Sequence, residues 1–108
     1  MLLLNIEDIR YLCNDENIAI TKHAKNRLFE RGIKVGDIQN AIMTGEIIEQ
    51  YEDDKPFPSC LILGLNENNN YIHIVVSKNH GYLYIITAYI PDENEWESDL
   101  KSRKEQSL

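Results

Sequence analysis

The stretch from Glu46 to Ile90, EIIEQYEDDKPFPSCLILGLNENNNYIHIVVSKNHGYLYIITAYI, decides the fold because apolar segments alternate in it with clusters of turn-forming residues. Four segments are rich in the Ile, Leu, Val and Tyr that favour half-buried strands: Glu46–Glu52, Ser59–Leu65, Tyr71–Lys78 and Tyr82–Ile90. Three connections separate them: Asp53–Pro58, Asn66–Asn70 and Asn79–Gly81. Connections of this length cannot hold a crossover helix, so the stretch predicts an antiparallel meander.

Before this stretch, the apolar residues recur at helical spacing. A helix over Thr21–Arg31 would begin at an N-capping threonine and be stopped by the glycine that follows it. Similar patterns predict helices over Val35–Thr44 and Asn5–Leu12. Near the other end, Trp96 and Leu100 stand four residues apart and predict a short C-terminal helix. The predicted fold class is α+β, with two or three N-terminal helices packed on a four-stranded antiparallel sheet.

Length and composition indicate one soluble domain. The chain has 108 residues, which predicts a single domain with a core over 18–104 and a polar C-terminal extension over 92–108. No apolar run approaches the about 20 residues of a membrane span. Cys13 and Cys60 lack the spacing of metal ligands or redox pairs, so reduced thiols and a cytoplasmic location are expected. No cofactor is expected, because phosphate-loop, dinucleotide, serine-elbow and zinc-protease motifs are all missing from the sequence.

Charge is distributed unevenly along the chain. With 11 basic and 18 acidic residues, the formal net charge is −7, which argues against nucleic-acid binding by the whole surface. Between Lys22 and Lys34, however, five side chains are Lys or Arg and only Glu30 is acidic. Composition therefore leaves two classes of partner open, a nucleic acid bound locally by this basic segment and a basic protein bound elsewhere.

The basic segment has a regular spacing. His23, Arg27 and Arg31 recur every fourth residue, so on a helix they form one ridge. An imidazole followed by two guanidiniums suits phosphate chemistry. The competing interpretation, more common for a charged helix face, is a structural ridge paired with nearby carboxylates such as Glu46, Glu49 or Glu52.

The last predicted hairpin carries a second set of polar groups. A loop of three residues, Asn79–Gly81, predicts that His73 lies opposite Thr87 and Tyr71 opposite Tyr89, all on one face. An imidazole, a hydroxyl and two phenols would be suited to binding or proton transfer. The alternative is that each is an ordinary strand residue, since Tyr and Thr fit a pleated surface well.

A string of motifs runs through nearly the whole chain. Its parts are HA-x-x-R-x-x-x-RGI from His23, PSCLILG from Pro58, IHIVVS from Ile72, IITAYIPD from Ile85, then Trp96 and Arg103-Lys104. In this combination the chain resembles the small bacterial proteins grouped as the domain of unknown function 4258. That family looks related to the RelE/ParE superfamily of toxin–antitoxin systems, which implies helices packed on an antiparallel sheet.

The resemblance implies a toxin-like or toxin-derived protein. RelE-like toxins cleave messenger RNA without a metal ion, and ParE-like members inhibit gyrase. We therefore predict a metal-independent ribonuclease, in which the two arginines stabilise the phosphate, a histidine acts as acid or base and Tyr89 positions the scissile group. The candidate site residues are His23, Arg27, Arg31, His73, Thr87 and Tyr89. The alternative is a non-catalytic protein-binding module; expected partners are an antitoxin or another protein, or RNA, and no membrane.

Overall fold

Residues 3–105 form a five-stranded mixed sheet and three short helices, as a computed structural model of the chain describes them. The strands are β1 (Ile18–Ile20), β2 (Glu46–Tyr51), β3 (Ser59–Leu65), β4 (Tyr71–Asn79) and β5 (Tyr82–Tyr89). The helices are α1 (Ile6–Tyr11), α2 (Lys22–Glu30) and α3 (Val35–Thr44). No helix within 3–105 is long and apolar enough to cross a membrane. The last three residues of the predicted extension 92–108 lie outside the described part.

The sheet differs from the prediction in its first strand. Its order is β1-β5-β4-β3-β2, and β1 pairs in parallel with β5, with Ile18 beside Leu83 and Ile20 beside Ile85. The prediction of a four-stranded antiparallel sheet is therefore wrong. The physical reason is that β1 has only three residues, too few to show a strand period, and its partner is the last strand of the chain.

The helices bury their apolar residues against one face of the sheet. Leu28 of α2 and Ile42 of α3 join Ile62 of β3 and Ile74 of β4 in a single cluster of buried residues. Alternation along the strands directs His73, the neighbour of Ile74, to the opposite face. We call this opposite side the strap face.

A segment without helical structure, residues 92–104, covers part of the strap face, and we call it the C-terminal strap. The prediction of a C-terminal helix is wrong: Trp96 is buried and forms an isolated antiparallel bridge with Arg103. A side chain takes backbone donors that a helix would use. The Asp99 carboxylate accepts hydrogen bonds from the backbone N–H groups of Lys101 (2.9 Å) and Ser102 (3.0 Å). Such local turns replace the helix that the spacing of Trp96 and Leu100 indicated.

The register of the final hairpin also differs from the prediction. His73 lies opposite Tyr89, and Thr87 lies opposite Val75, so the predicted pairs His73–Thr87 and Tyr71–Tyr89 are wrong. Two backbone features cause the shift. The turn has two residues rather than three, both with positive φ, and a bulge interrupts β5 between the partners of Val75 and Val76.

Candidate functional site

Helix α2 presents the basic ridge to solvent. The helix begins where the Thr21 hydroxyl accepts a hydrogen bond from the backbone N–H of Ala24 at 3.1 Å. Ala24 and Leu28 are buried, so the helix is fixed with its remaining faces outward. His23, Arg27 and Arg31 are all exposed on the flank of that buried stripe. The burial of Ala24 and Leu28 on one stripe of α2 thus leaves the ridge at the surface.

Arg31 is anchored to β5. Its Nη1 donates to the Thr87 hydroxyl at 3.0 Å and to the Ala88 carbonyl oxygen at 2.9 Å. Both bonds come from one guanidinium nitrogen of the five-donor planar group. α2 thus lies beside the part of β5 that follows Ile85, where β1 no longer pairs with β5. Arg31 is thus held to β5 by two hydrogen bonds.

Two of the three predicted carboxylate partners of the ridge are paired with other cations. Glu46 pairs with Lys101 at 2.7 Å, and Glu49 pairs with Arg103 at 3.0 Å. Within residues 3–105, neither Arg27 nor Arg31 has a carboxylate oxygen within 4.0 Å. The positive charge of α2 is consequently not neutralised by ion pairs in the described part of the chain.

His73 is enclosed on the strap face. Its ring makes edge contacts with Tyr89 and Trp96, with centroid distances of 5.3 and 4.4 Å. Nε2 lies 2.8 Å from the Leu100 carbonyl oxygen, which can only accept, so Nε2 carries the proton. Nδ1 then accepts from the Tyr89 hydroxyl at 3.3 Å. Burial lowers the pKa of His73, and the ring is neutral with both nitrogens bonded.

A charged pair holds the C-terminal strap beside His73. The Arg103 guanidinium donates to both carboxylate oxygens of Glu49, at 3.0 and 3.1 Å, and lies 4.6 Å from the centre of the Trp96 ring. Burial disfavours the charged form of Glu49, but the hydrogen bonds from Arg103 and Tyr51 outweigh it, so the pKa of Glu49 is lowered. Burial and the same carboxylate raise the pKa of Tyr51 to about 12.

Sequence reasoning did not assign a role to these strap contacts. The only signal was the motif string, which ends in Trp96 and the basic pair Arg103-Lys104. Glu49 was considered only as a partner for the ridge, because a hydrophobic pattern gives no information on which distant cation a strand carboxylate meets. The structure assigns Glu49 to the strap.

Polar residues form a row across the strap face. Thr87 and Tyr89 alternate with Ala88 on β5, so both project to the side of His73 and Val75 on β4. Arg31 bonds to Thr87 at one end of this row, and His73 lies at the other end, bonded to Tyr89. Burial raises the pKa of the Tyr89 hydroxyl, against the nearby positive charge of Arg103 and Arg31. Four predicted residues, Arg31, Thr87, Tyr89 and His73, are thus successive neighbours.

A groove continues the strap face past Thr87, and we call it the β5 groove. It has a volume of about 470 Å³ and lies between the first turn of α2, the strands and the connection from β2 to β3. Five of its nine lining residues are apolar or aromatic, and four carry polar or charged side chains. The first set is Pro56, Phe57, Tyr84, Ile85 and Ile86, and the second is Thr21, His23, Lys55 and Ser77. His23, the first member of the ridge, is therefore also a wall of the groove.

No metal centre is evident among the described residues. Within 3–105, no group of three or more His, Cys, Asp or Glu side chains is arranged to hold a metal ion. His23 and His80 are exposed on different elements, and His73 is buried. Cys13 and Cys60 are free thiols, and burial raises the pKa of Cys60 to about 12, which leaves it protonated.

Comparison with known proteins places the chain in a family. Searches of curated proteins and of solved structures found no match. The family described as "Domain of unknown function (DUF4258)" matches residues 20–90, from the end of β1 to just past β5. This match confirms the resemblance to the domain of unknown function 4258, whereas the relation to the RelE/ParE superfamily stays a prediction. Because the match covers more than half of the 108 residues, the protein belongs to the DUF4258 family.

Proposed function

We propose that this protein is a toxin-like or toxin-derived relative of the RelE/ParE superfamily that binds RNA along α2 and β5 and cleaves it without a metal ion. The observation that carries the proposal is the ridge of exposed guanidiniums without carboxylate partners in the described chain, on a protein of net charge −7. An unneutralised cationic ridge on such a protein favours a local anionic ligand. Arg31, held by Thr87 and Ala88, would contact a phosphate without losing further side-chain freedom.

The placement of the residues supports distinct roles in cleavage. His23 is exposed, and it accepts the proton of the ribose 2′-hydroxyl as that oxygen attacks phosphorus. The bond from phosphorus to the 5′-oxygen breaks, the 5′-oxygen takes a proton from water, and a 2′,3′-cyclic phosphate remains. Arg27 and Arg31 stabilise the charge that develops on the phosphoryl oxygens. His73 is enclosed, so it acts as a positioning residue that orients the Tyr89 hydroxyl.

The salt dependence of binding gives a quantitative expectation. If Arg27, Arg31 and Lys25 each neutralise one phosphate, the logarithm of the affinity for single-stranded RNA should fall with the logarithm of salt at a slope of about −2. Such a small slope suits a protein that binds locally and is acidic elsewhere.

The test is binding and cleavage of a fluorescent single-stranded RNA by the full chain in the presence of EDTA. Arg27→Ala should weaken binding about tenfold and make the salt slope shallower by about 0.7. Lys101→Ala is the matched control, since it removes one positive charge that Glu46 already pairs at 2.7 Å. His23→Ala should lose cleavage while weakening binding less than Arg27→Ala does. Equal loss in the Arg27 and Lys101 variants would refute a localised phosphate site, and absence of any RNA binding would refute the function.

A second candidate is a non-catalytic protein-binding module with the same fold. The observation that favours it is the enclosure of His73, whose two nitrogens are both bonded within the described chain. The same experiment separates the two functions. If RNA is bound but stays intact, cleavage is excluded. If RNA is not bound, the protein-binding module remains, and a protein that copurifies with the chain should be lost when the ridge is mutated.

A further inference from the structure

We propose that the β5 groove binds one unpaired nucleobase of an RNA strand whose phosphates lie along α2. The inference rests on the proposed RNA binding and adds to it the class of substrate, which is single-stranded RNA. It begins from the shape of the groove: about 470 Å³ falls in the range of sites for small organic molecules. A single base with part of its sugar would fit within this volume.

The lining of the groove suits a flat aromatic ligand. Phe57 and Tyr84 offer aromatic surface, and Pro56 and Ile86 offer apolar surface. Phe57 and Ile86 are 38% and 43% exposed, so a ligand would remove substantial apolar area from water. Bases stack on aromatic side chains in proteins that bind single strands, and stacking works for every base because each has a π face.

The polar groups of the groove favour a base over a hydrocarbon chain. The Ser77 hydroxyl donates to the Pro58 carbonyl oxygen at 2.7 Å, which leaves its oxygen free to accept. The hydroxyls of Thr21 and Tyr84 and the ammonium of Lys55 belong to the same lining. A hydrocarbon would strip water from these groups without replacing its hydrogen bonds, whereas a base has donors and acceptors along its edge.

The position of the groove connects it to the ridge. His23 lies both in the groove lining and at the start of the ridge. Arg27 and Arg31 follow at steps of four residues, each about 6 Å along the helix axis. A strand with one base in the groove therefore continues along successive cations. A duplex cannot bind in this way, because its bases are paired and stacked inside the helix.

The test uses short fluorescent RNAs and the full chain. Phe57→Ala should weaken binding of a single-stranded 12-mer at least about fivefold and leave the salt slope unchanged, because stacking carries no charge. Phe29→Ala is the matched control: Phe29 is 86% exposed, lies on α2 and is absent from the groove lining. A duplex of the same length should bind more weakly than the single strand and be insensitive to Phe57→Ala.

A second measurement makes the groove testable without the strand. In an NMR titration with adenosine 5′-monophosphate and uridine 5′-monophosphate, the ring signals of Phe57 and Tyr84 should shift, and those of Phe29 should not. If Arg27→Ala weakens RNA binding but Phe57→Ala does not, the base site is refuted and the proposed function stands. If neither RNA nor mononucleotide binds, both are refuted. Equal losses in the Phe57 and Phe29 variants would also refute the base site.

Discussion

Mild acid should destabilise the fold through His73. Its side chain is fully buried, and burial lowers its pKa below the ordinary value of 6.5. In the unfolded chain this imidazole takes up a proton near pH 6.5, while in the folded protein it stays neutral to a lower pH. Below about pH 6.5 the unfolded state thus binds more protons, and the free energy of unfolding falls as pH falls. One proton gives a slope of at most about 1.4 kcal/mol per pH unit.

The assay is urea unfolding between pH 7.5 and pH 5, followed by the fluorescence of the single tryptophan, Trp96, which contacts His73. The free energy should be flat above about pH 7 and should fall below about pH 6.5. His73→Gln removes the titrating group, so this fall should disappear. The variant should also lose about 1–3 kcal/mol at pH 7, because the bonded ring of His73 fits a site that the amide fills incompletely.

His80→Asn is the matched control for this prediction. His80 is exposed and has a positive φ of 50°, a conformation that asparagine tolerates. Its replacement should leave the pH dependence intact. The lowered pKa of Glu49 acts in a different window, since stability from that carboxylate is lost only as pH falls below about 4.5. A fall that persists in His73→Gln, or that disappears in His80→Asn, would refute the reasoning.

Three further predictions concern stability. Trp96→Ala should lower the free energy of unfolding by about 3–5 kcal/mol in denaturation followed by circular dichroism, since the indole is 2% exposed. Gly64→Ala should lower it by about 1–3 kcal/mol, because the added methyl would overlap the backbone of Ala41; an unchanged midpoint would refute that close approach. Arg103→Ala should cost less than about 1 kcal/mol of ion-pair energy, measured in a double-mutant cycle with Glu49→Gln, because the arginine side chain is 57% exposed.

Elements whose signals are local were predictable from the sequence. α2 was predicted as Thr21–Arg31 and spans Lys22–Glu30, because the cap, the buried stripe and the stop all lie within one segment. The antiparallel strands β2 to β5 were found for the same reason, since turn residues separate apolar runs. β1 was not placed in the sheet, because three residues carry no period and a parallel pair leaves no turn to indicate it.

The register of the final hairpin could not be predicted from the sequence pattern, because it depends on backbone conformation. A loop of two residues and a loop of three read alike in Asn79-His80-Gly81, and positive φ at both His80 and Gly81 selects the shorter one. The bulge in β5 then moves Thr87 away from His73 and sets Tyr89 opposite it. The predicted shared face of His73, Thr87 and Tyr89 is confirmed, whereas the predicted opposed pairs are wrong.

The candidate site shows the same division between local and distant information. Two buried residues on the same helix, Ala24 and Leu28, leave Arg27 and Arg31 exposed. Whether a carboxylate neutralises them depends on distant contacts; Glu49, one of the predicted partners, is bound by Arg103, a residue 54 positions further along the chain. No spacing within the ridge contains that information.

Strand β5 contacts both His73, which is buried under the C-terminal strap, and Arg31 of the exposed ridge. Tyr89 bonds to His73 under the strap, and two residues earlier Thr87 bonds to Arg31 at the strand edge. The bulge lies just before Thr87 and sets Thr87 and Tyr89 on the face that His73 shares. Both nitrogens of His73 are occupied, one by Tyr89 of β5 and the other by the Leu100 carbonyl of the C-terminal strap. Proton transfer under the proposed function therefore belongs to His23, the exposed histidine that adjoins both the ridge and the β5 groove.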